Sequence, residues 1–135
     1  MDYKKTAEEF MIDSFLKTPP FAPPEDMSKG EMGILTYLSF FKNKVLPGDL
    51  SAALKISTGR TAIALKSLEK KNMITREKDD YDKRRVIVSV TDKGKTYAKS
   101  QKDKALNNLT VLFEFLGEED TKELIRIYKR IYDAQ

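Results

Sequence analysis

One stretch of the chain predicts its fold: residues 46–91, LPGDLSAALKISTGRTAIALKSLEKKNMITREKDDYDKRRVIVSVT. A first helix is expected to begin at Pro47, because the missing N–H and the fixed φ of proline suit the first turn of a helix. Ser57 lies in the next turn and can cap a second helix by accepting one of its backbone N–H groups. A basic segment with alternating valines follows, which is typical of a β-hairpin. The stretch therefore predicts a helix, a turn, a helix and a hairpin.

The second predicted helix has two faces of different character. One face repeats at i, i+3, i+4 and i+7 and is expected to be buried. Its residues are Thr61, Ala64, Leu65 and Leu68. The opposite face, which is offered to solvent or a partner, holds Arg60, Ile63, Lys66, Ser67 and Lys70. Two short helices followed by a charged hairpin indicate a winged helix-turn-helix, a unit that usually binds DNA.

Several short motifs follow this second helix at fixed spacings. They are Leu68-Glu69-Lys70-Lys71, Asn72-Met73-Ile74-Thr75-Arg76, Asp82-Lys83-Arg84 and Val90-Thr91-Asp92-Lys93-Gly94. In these motifs and their spacing the chain resembles the MarR family of bacterial winged-helix transcriptional regulators. Asn72 and Lys55 stand where glycine is common in that family. Asparagine is the next best residue for a left-handed C-terminal position, so the turn after the second helix is expected to survive.

The pattern and the resemblance together predict a mainly α fold with a small β-hairpin wing. The architecture expected is a winged helix-turn-helix with N- and C-terminal dimerisation helices. The 135 residues suit a single MarR-like domain. Residues 27–104 are expected to form its winged-helix DNA-binding region, and residues 1–26 and 105–135 the dimerisation helices and a linker.

The hairpin strands are expected at residues 74–77 and 85–90, with residues 78–84 as the tip. The tip is unusual for a DNA-contacting element because it holds three aspartates, and a carboxylate near phosphates costs Coulomb energy. At least one of them should therefore be neutralised by a basic neighbour. The resemblance gives this role to Asp82, paired with Arg84.

Other local signals place helix ends elsewhere in the chain. Ser28 and Glu31 fit a capping box, in which Glu31 would accept the N–H of Ser28. The proline-rich residues 18–26 cannot continue a helix and predict a stiff connector. Thr91 can cap a long helix after the hairpin, and Gly117 is expected to break that helix.

The resemblance and the exposed faces assign DNA contacts to two elements. The side chains expected in the major groove are Ser57, Thr58, Arg60, Ala62, Ile63 and Lys66. The wing residues expected to contact DNA are Lys83, Arg84 and Arg85, with Asp82 as support. Among these, Arg84 is expected to insert into the minor groove.

Composition excludes several chemistries. The chain has no Cys and no His, which excludes Cys/His zinc sites, disulfides, thiol redox switching and Ser-His or Cys-His catalysis. No pair of residues has the spacing of a catalytic site, so we expect neither an enzyme nor a cofactor. No apolar run approaches the roughly 18 residues of a membrane helix, and the N-terminus lacks a signal-peptide pattern. A cytoplasmic protein without a membrane partner is expected.

Positive charge is concentrated around the predicted reading unit. Residues 42–104 hold 17 Lys and Arg against 8 Asp and Glu, a net charge of +9. The rest of the chain holds 8 against 13, a net charge of −5. Double-stranded DNA is the partner that this distribution favours, because neutralised phosphates release counterions.

The chain ends carry more apolar surface than lone terminal helices can bury. Residues 3–16 and 106–132 place apolar side chains at helical spacing, which indicates a homodimer interface. Many MarR-like proteins lose DNA affinity when a small aromatic or amphipathic effector binds near that interface. The residues expected to line such a pocket are Phe10, Phe15, Tyr37, Phe40 and Phe41, although core packing is an alternative for each.

These inferences lead to one function and one alternative. The expected function is that of a sequence-specific double-stranded DNA-binding transcriptional regulator. It would act as a repressor, as a homodimer on a pseudo-palindromic operator, with release by a small molecule. The alternative is a winged-helix protein-interaction module without specific DNA binding, in which the apolar Ile63 face fills a groove of a protein partner.

Overall fold

The structure is a computed structural model and describes residues 1–17 and 28–134, the side chains of residues 28 and 29 excepted. The connector expected at residues 18–26 lies outside the described residues. In the described part the chain forms five helices and one two-stranded sheet. The elements are α1 (Tyr3–Ser14), α2 (Ser28–Phe40), α3 (Pro47–Leu54), α4 (Thr58–Lys70), β1 (Ile74–Lys78), β2 (Val86–Val90) and α5 (Asp92–Asp133). The predicted fold class, mainly α with a hairpin wing, is confirmed.

The chain divides into two compact units. One consists of Met1–Pro24 and Gln101–Gln135, and the other of Glu25–Ser100. The second unit, which we call the winged-helix unit, contains α2, α3, α4 and the sheet. The first, which we call the terminal unit, contains α1 and most of α5. Its expected role in joining two subunits stays a prediction.

The core of the winged-helix unit is made by side chains that the helical and strand periodicities bring inside. Its buried apolar residues are Ile34, Leu35, Leu38, Val45, Leu50, Ala64, Leu65, Leu68, Ile74, Val88, Val90 and Ala98. The predicted buried stripe of α4 is confirmed, including Thr61. The fully buried Ile34 and Val45 were not in the predicted stripes. Leu35 and Leu38 of α2 are buried beside Ile34.

The wing is an antiparallel hairpin whose register runs from Ile74 opposite Val90 to Lys78 opposite Val86. The expected strand bounds were slightly wrong, because β2 begins at Val86 rather than at Arg85. The backbone N–H of Arg85 donates to the carbonyl of Asp82 at 2.9 Å, so Arg85 closes the turn at the tip.

A short segment before α3 extends the wing sheet. Val45 and Val88 exchange two backbone hydrogen bonds of 3.1 and 2.8 Å. The side-chain oxygen of Asn43 also accepts the N–H of Val90 at 3.0 Å. The wing is therefore tied at its base to the segment that leads into the helix-turn-helix.

The close packing of the wing base explains one glycine of the family signature. A Cβ atom added at Gly94 would overlap the carbonyl oxygen of Met73. Next to it, the Thr91 hydroxyl accepts the N–H of Gly94 at 3.1 Å and donates to the carbonyl of Asn72 at 2.7 Å. The predicted cap at Thr91 is confirmed, and the wing and α5 meet here without room for a side chain.

The terminal unit has a separate small core. Ala7, Leu106 and Phe113 are buried, and Phe10 packs edge-on against Phe113 with the ring centroids 6.0 Å apart. The predicted break in the last helix is confirmed at Gly117, which has φ 82° and ψ 172° inside α5. A left-handed φ of this kind is open to glycine at no steric cost.

Candidate nucleic-acid interface

The exposed helix α4 is held against α3 by a buried chain of hydroxyl groups. The Ser51 hydroxyl donates to the Thr61 hydroxyl at 2.8 Å, and Thr61 donates to the carbonyl of Ser57 at 3.0 Å. Only 1% of the Thr61 surface is exposed. Buried hydroxyls are stabilising when each finds a partner, and costly when one partner is removed. This chain therefore sets the angle and rotation of α4, which decides which side chains face outward.

The start of α4 is capped as the sequence predicted. Ser57 has an extended backbone with φ −66° and ψ 155°, and its hydroxyl accepts the N–H of Arg60 at 3.1 Å. The first turn of this helix holds no acidic side chain, so the positive end of the helix dipole is left uncompensated by carboxylates of that turn.

The outer face of α4 carries the side chains that the sequence assigned to the major groove. Ser57, Thr58, Ala62, Ile63 and Lys66 are exposed, and Arg60 is partly buried. Ile63 is 73% exposed, although a large aliphatic side chain gains free energy when it leaves water. The structure thus brings the six residues onto one surface with an apolar centre and basic neighbours. Their contacts with DNA stay a prediction.

Two aspartates stabilise the turn at the wing tip. The Asp82 carboxylate accepts three hydrogen bonds from Arg84: one from the backbone N–H at 3.1 Å and two from the guanidinium, from Nε at 3.2 Å and Nη2 at 3.4 Å. The Asp79 carboxylate accepts the N–H of Tyr81 at 3.1 Å. Carboxylates that accept from the backbone two residues on stabilise tight turns. The expected pairing of Asp82 with Arg84 is present.

The electrostatics of the tip follow from this pairing. The guanidinium and backbone N–H of Arg84 hold the pKa of Asp82 below its usual value. The Arg84 side chain nevertheless remains 92% exposed, and Lys83 and Arg85 are exposed beside it. The tip therefore offers three basic side chains, while Asp82 is used within the turn.

Ion pairs brace α4 on two sides. The Glu31 carboxylate of α2 accepts from the Ser67 hydroxyl at 2.8 Å and from the Lys71 ammonium at 2.9 Å. At the other side, Arg76 of β1 donates to Glu69 at 2.9 Å, and the bond lowers the pKa of Glu69. The first contact joins α4 to α2, and the second joins α4 to β1.

The capping box expected at the start of α2 depends on Ser28, whose side chain lies outside the described side chains, and it stays a prediction. Glu31 uses its carboxylate for residues of α4 and its cap, which lie 36 and 40 positions away. A charged ammonium is a strong partner for a carboxylate, so the Lys71 contact joins Glu31 firmly to the end of α4.

The five aromatic residues expected at an effector pocket fall in two units. Phe10 and Phe15 belong to the terminal unit, and Tyr37, Phe40 and Phe41 to the winged-helix unit. Phe10 contacts Tyr128 with the ring centroids 5.5 Å apart. Tyr37 and Phe41 stack nearly parallel, with their centroids 6.0 Å apart. Phe10 packs against the core of the terminal unit, whereas Phe40 and Phe41 are exposed, and a shared pocket stays a prediction.

Sequence reasoning missed three features of this surface. The Ser51–Thr61 bond joins residues ten positions apart, and the only signal for it was a threonine inside an apolar stripe. The Glu31 contacts had no local signal. Tyr81 is 99% exposed at the wing tip, and no pattern in the sequence singled it out.

Two further findings concern metals and membranes. Within residues 1–17 and 28–134, acidic side chains do not gather in any group of three that could hold a metal ion. In the same part of the chain, each helix is too short or too polar to cross a bilayer.

Two short helices packed against each other, α3 and α4, followed by a basic hairpin that contacts both, define a winged helix-turn-helix protein. Residues 31–110 match the family described as winged helix DNA-binding domain. The chain belongs to this family. A comparison with curated protein sequences finds no match.

Solved structures show which fold this is. A MarR transcriptional regulator from Methanosarcina mazei Go1 is 20% identical, with a TM-score of 0.63 over 97% of this chain and 86% of the other. Streptococcus pneumoniae FabT in complex with DNA is 21% identical, with a TM-score of 0.66 over 97% and 90%. The transcriptional regulator Tm0710 from Thermotoga maritima is 21% identical, with a TM-score of 0.55 over 98% and 84%. The resemblance to MarR regulators is thereby confirmed at the level of the fold.

Proposed function

We propose that this chain is a homodimeric, sequence-specific DNA-binding regulator that represses transcription from a pseudo-palindromic operator. One observation carries the proposal: the outer face of α4 is exposed and basic around an apolar centre, while its inner face is locked into the core. A helix held in this way is suited to enter a major groove as a rigid body.

The residues of α4 have separate roles in this proposal. Ala62 and Ile63 contact thymine methyl groups, which are the apolar feature of the major groove. Arg60 reaches a guanine edge or a phosphate from the first turn of the helix. The hydroxyls of Ser57 and Thr58 and the ammonium of Lys66 bind phosphates or base edges at the rim of the groove.

The wing supplies the second set of contacts. Arg84 enters the minor groove, whose negative potential is strongest where the groove is narrow. Asp82 orients the guanidinium through bonds of 3.2 and 3.4 Å from its Nε and Nη2 atoms, so less conformational entropy is lost on binding. Lys83 and Arg85 contact the phosphates on either side.

The whole assembly is a dimer that places two copies of α4 in successive major grooves, about 34 Å apart. The likeness to FabT in complex with DNA supports duplex DNA as the partner. The net charges support it too, because Glu25–Ser100 holds 16 Lys and Arg against 10 Asp and Glu, a net charge of +6. The remaining residues carry 9 against 11, a net charge of −2.

Release from the operator is proposed to follow binding of a small aromatic or amphipathic molecule next to Phe10, Phe15, Tyr37, Phe40 and Phe41. The absence of cysteine from the sequence means that release does not use a thiol switch. Addition of peroxide at doses that spare the methionines should leave DNA affinity unchanged.

Selection of bound sequences from a random duplex library tests the main proposal. The expected result is an enriched palindrome with half-sites centred about one helical turn apart. Binding to that site should weaken steeply as salt concentration rises. Enrichment of no sequence, together with salt-independent binding, would contradict the proposal.

A protein-interaction module is the second candidate, and the 73% exposure of Ile63 is the observation that favours it. Exposed apolar side chains in a fixed helix can anchor a protein partner. The Ile63→Ser variant separates the two functions. If α4 reads DNA, the substitution weakens binding to the selected site, whereas a module that binds only proteins shows no salt-dependent duplex binding in either variant.

A further inference from the structure

Among the described residues of the winged-helix unit, three that are not glycine have a left-handed backbone: Lys44 with φ 59°, Lys55 with φ 55° and Asn72 with φ 61°. Glycine adopts this conformation without a steric cost, and asparagine tolerates it through its short polar side chain. Lysine has neither advantage, so both lysines are held there at a conformational cost, and their places in the fold decide whether the charge has a use in DNA binding.

Lys55 stands at the joint of the helix-turn-helix. It is the C-terminal cap of α3, with φ 55° and ψ 44°, and its backbone N–H donates to the carbonyl of Ser51. Ser57, the cap of α4, follows two residues later. In a helix-turn-helix the first helix crosses the sugar-phosphate backbone and the second enters the groove. The joint between them therefore lies over phosphates at the edge of the groove.

The side chain of Lys55 is exposed, and its ammonium has no ion-pair partner among residues 1–17 and 28–134. The neighbouring first turn of α4 adds the positive end of a helix dipole and no acidic side chain. A lysine ammonium is a compact charge on a flexible side chain. It can therefore bind a phosphate oxygen without the fixed geometry that a guanidinium imposes.

We infer that Lys55 is a phosphate anchor of the DNA-binding surface, held in a left-handed conformation because its charge is needed at the helix-turn-helix joint. The inference rests on the proposed function and adds a contact to it. It also predicts two effects of one substitution: Lys55→Gly should remove the conformational cost of the left-handed backbone and, at the same time, weaken DNA binding.

The experiment measures binding of the full chain to a labelled duplex at several salt concentrations, and the urea midpoint of each variant. Lys55→Gly should reduce the slope of log affinity against log salt by about 0.9 for each subunit bound. Its urea midpoint should be at or above that of the wild type, because glycine suits the left-handed position. Lys55→Gln, which removes the charge alone, should show the same reduction in slope.

Two matched controls separate the effect of the position of Lys55 from the effects of losing a charge and of relieving a left-handed backbone. Asn72→Gly also relieves a left-handed residue but removes no charge, and it should leave the slope unchanged. Lys44→Gly removes the same charge at the same kind of backbone. Lys44 follows Asn43, which bonds Val90 at the base of the wing, away from the tip. The Lys44→Gly slope should therefore change less than the Lys55→Gly slope.

The outcomes distinguish this inference from the function on which it rests. If the wild type shows no salt-dependent duplex binding, the proposed function fails and the anchor with it. If the wild type binds but Lys55→Gly keeps its slope, or the Lys44→Gly slope falls as much, the anchor alone is refuted. A urea midpoint of Lys55→Gly well below the wild-type value would refute the argument from backbone conformation.

Discussion

Two arginines of the proposed DNA-binding surface are held in different ways. Arg60 lies partly buried in the first turn of α4, where its own N–H is bound by the Ser57 hydroxyl. Arg84 lies on the wing, exposed apart from its bonds with the Asp82 carboxylate. A side chain on a rigid helix can read one base edge, whereas one at a tip is better suited to the general potential of a groove.

Arg60→Ala is therefore expected to act on specificity. The affinity for the selected operator should fall by about 1–3 kcal/mol if Arg60 reads a guanine, with a much smaller change on random DNA. Titrations of both duplexes by fluorescence anisotropy measure the two changes, with Lys66→Ala as a comparison from the same helix. Equal changes on the two duplexes would show that Arg60 contacts a phosphate.

Arg84→Ala is expected to act on affinity for most duplexes. The plot of log affinity against log salt should flatten by about one unit for each phosphate that the variant no longer neutralises. Asp82→Asn is the companion variant, because it keeps the shape of the turn but weakens the charged bond that aims Arg84. If Arg84→Ala binds like the wild type at every salt concentration, the wing does not contact DNA.

Helix α4 presents its outer face because neighbouring elements hold its inner face. The hydroxyl chain from Ser51 through Thr61 fixes it to α3, and Glu31 of α2 holds Ser67 and Lys71. The bond from the Lys71 ammonium is the largest cause that lowers the pKa of Glu31 from its usual 4.5. The protonation of one carboxylate is thus linked to how firmly α2 and α4 are joined.

This linkage predicts a pH dependence. Because the folded protein lowers the pKa of Glu31, the stabilisation is present above pH 4.5 and disappears as the pH falls through the folded value. Glu31→Gln should lower the free energy of unfolding at pH 7 by less than about 1 kcal/mol, since both partners are partly exposed. The difference from the wild type should shrink below pH 4.5 in urea titrations.

The exposed Glu77 of β1 provides the matched control for that titration. Glu77→Gln removes the same charge from the winged-helix unit without touching the contact between α2 and α4. If both variants are destabilised equally at every pH, the contact between Glu31 and Lys71 does not stabilise the fold more than an unpaired surface charge does.

The terminal unit exposes apolar side chains that a single copy leaves in water. Phe115 is 86% exposed, and Val111, Leu112 and Ile127 are exposed in the same unit. Burial of one such aromatic side chain is favourable by about 1.5–3 kcal/mol. The apolar character of this surface suits a second copy of the chain, as expected for a protein that binds palindromic DNA.

Light scattering at micromolar concentration should therefore give twice the chain mass of 15.5 kDa. Phe115→Glu should shift the protein toward a monomer, because a carboxylate does not leave water without a partner. Tyr81→Glu changes another strongly exposed aromatic residue, on the wing, and should leave the mass unchanged. A wild-type monomer that binds the palindrome tightly would contradict this assembly.

The features that the sequence predicted correctly depend on neighbours along the chain. The buried stripe of α4 follows from a repeat of 3.6 residues, and the cap at Ser57 from a hydroxyl three residues before an N–H of the first turn. The left-handed Asn72 and the break at Gly117 follow from backbone preferences of single residues. Each of these rules acts within a turn or two of helix, so the order of residues is enough to apply it.

Tertiary structure determined the contacts that join distant parts of the chain. Glu31 accepts a hydrogen bond from the ammonium of Lys71, which lies 40 positions away in the sequence. The hydrogen bond between Ser51 and Thr61 depends on the packing of α3 against α4, and Val45 pairs with Val88 of the wing. Such contacts depend on distances in space, and a polar side chain takes the strongest partner that the fold brings near. The sequence alone predicts which groups need partners, but not which partners they obtain.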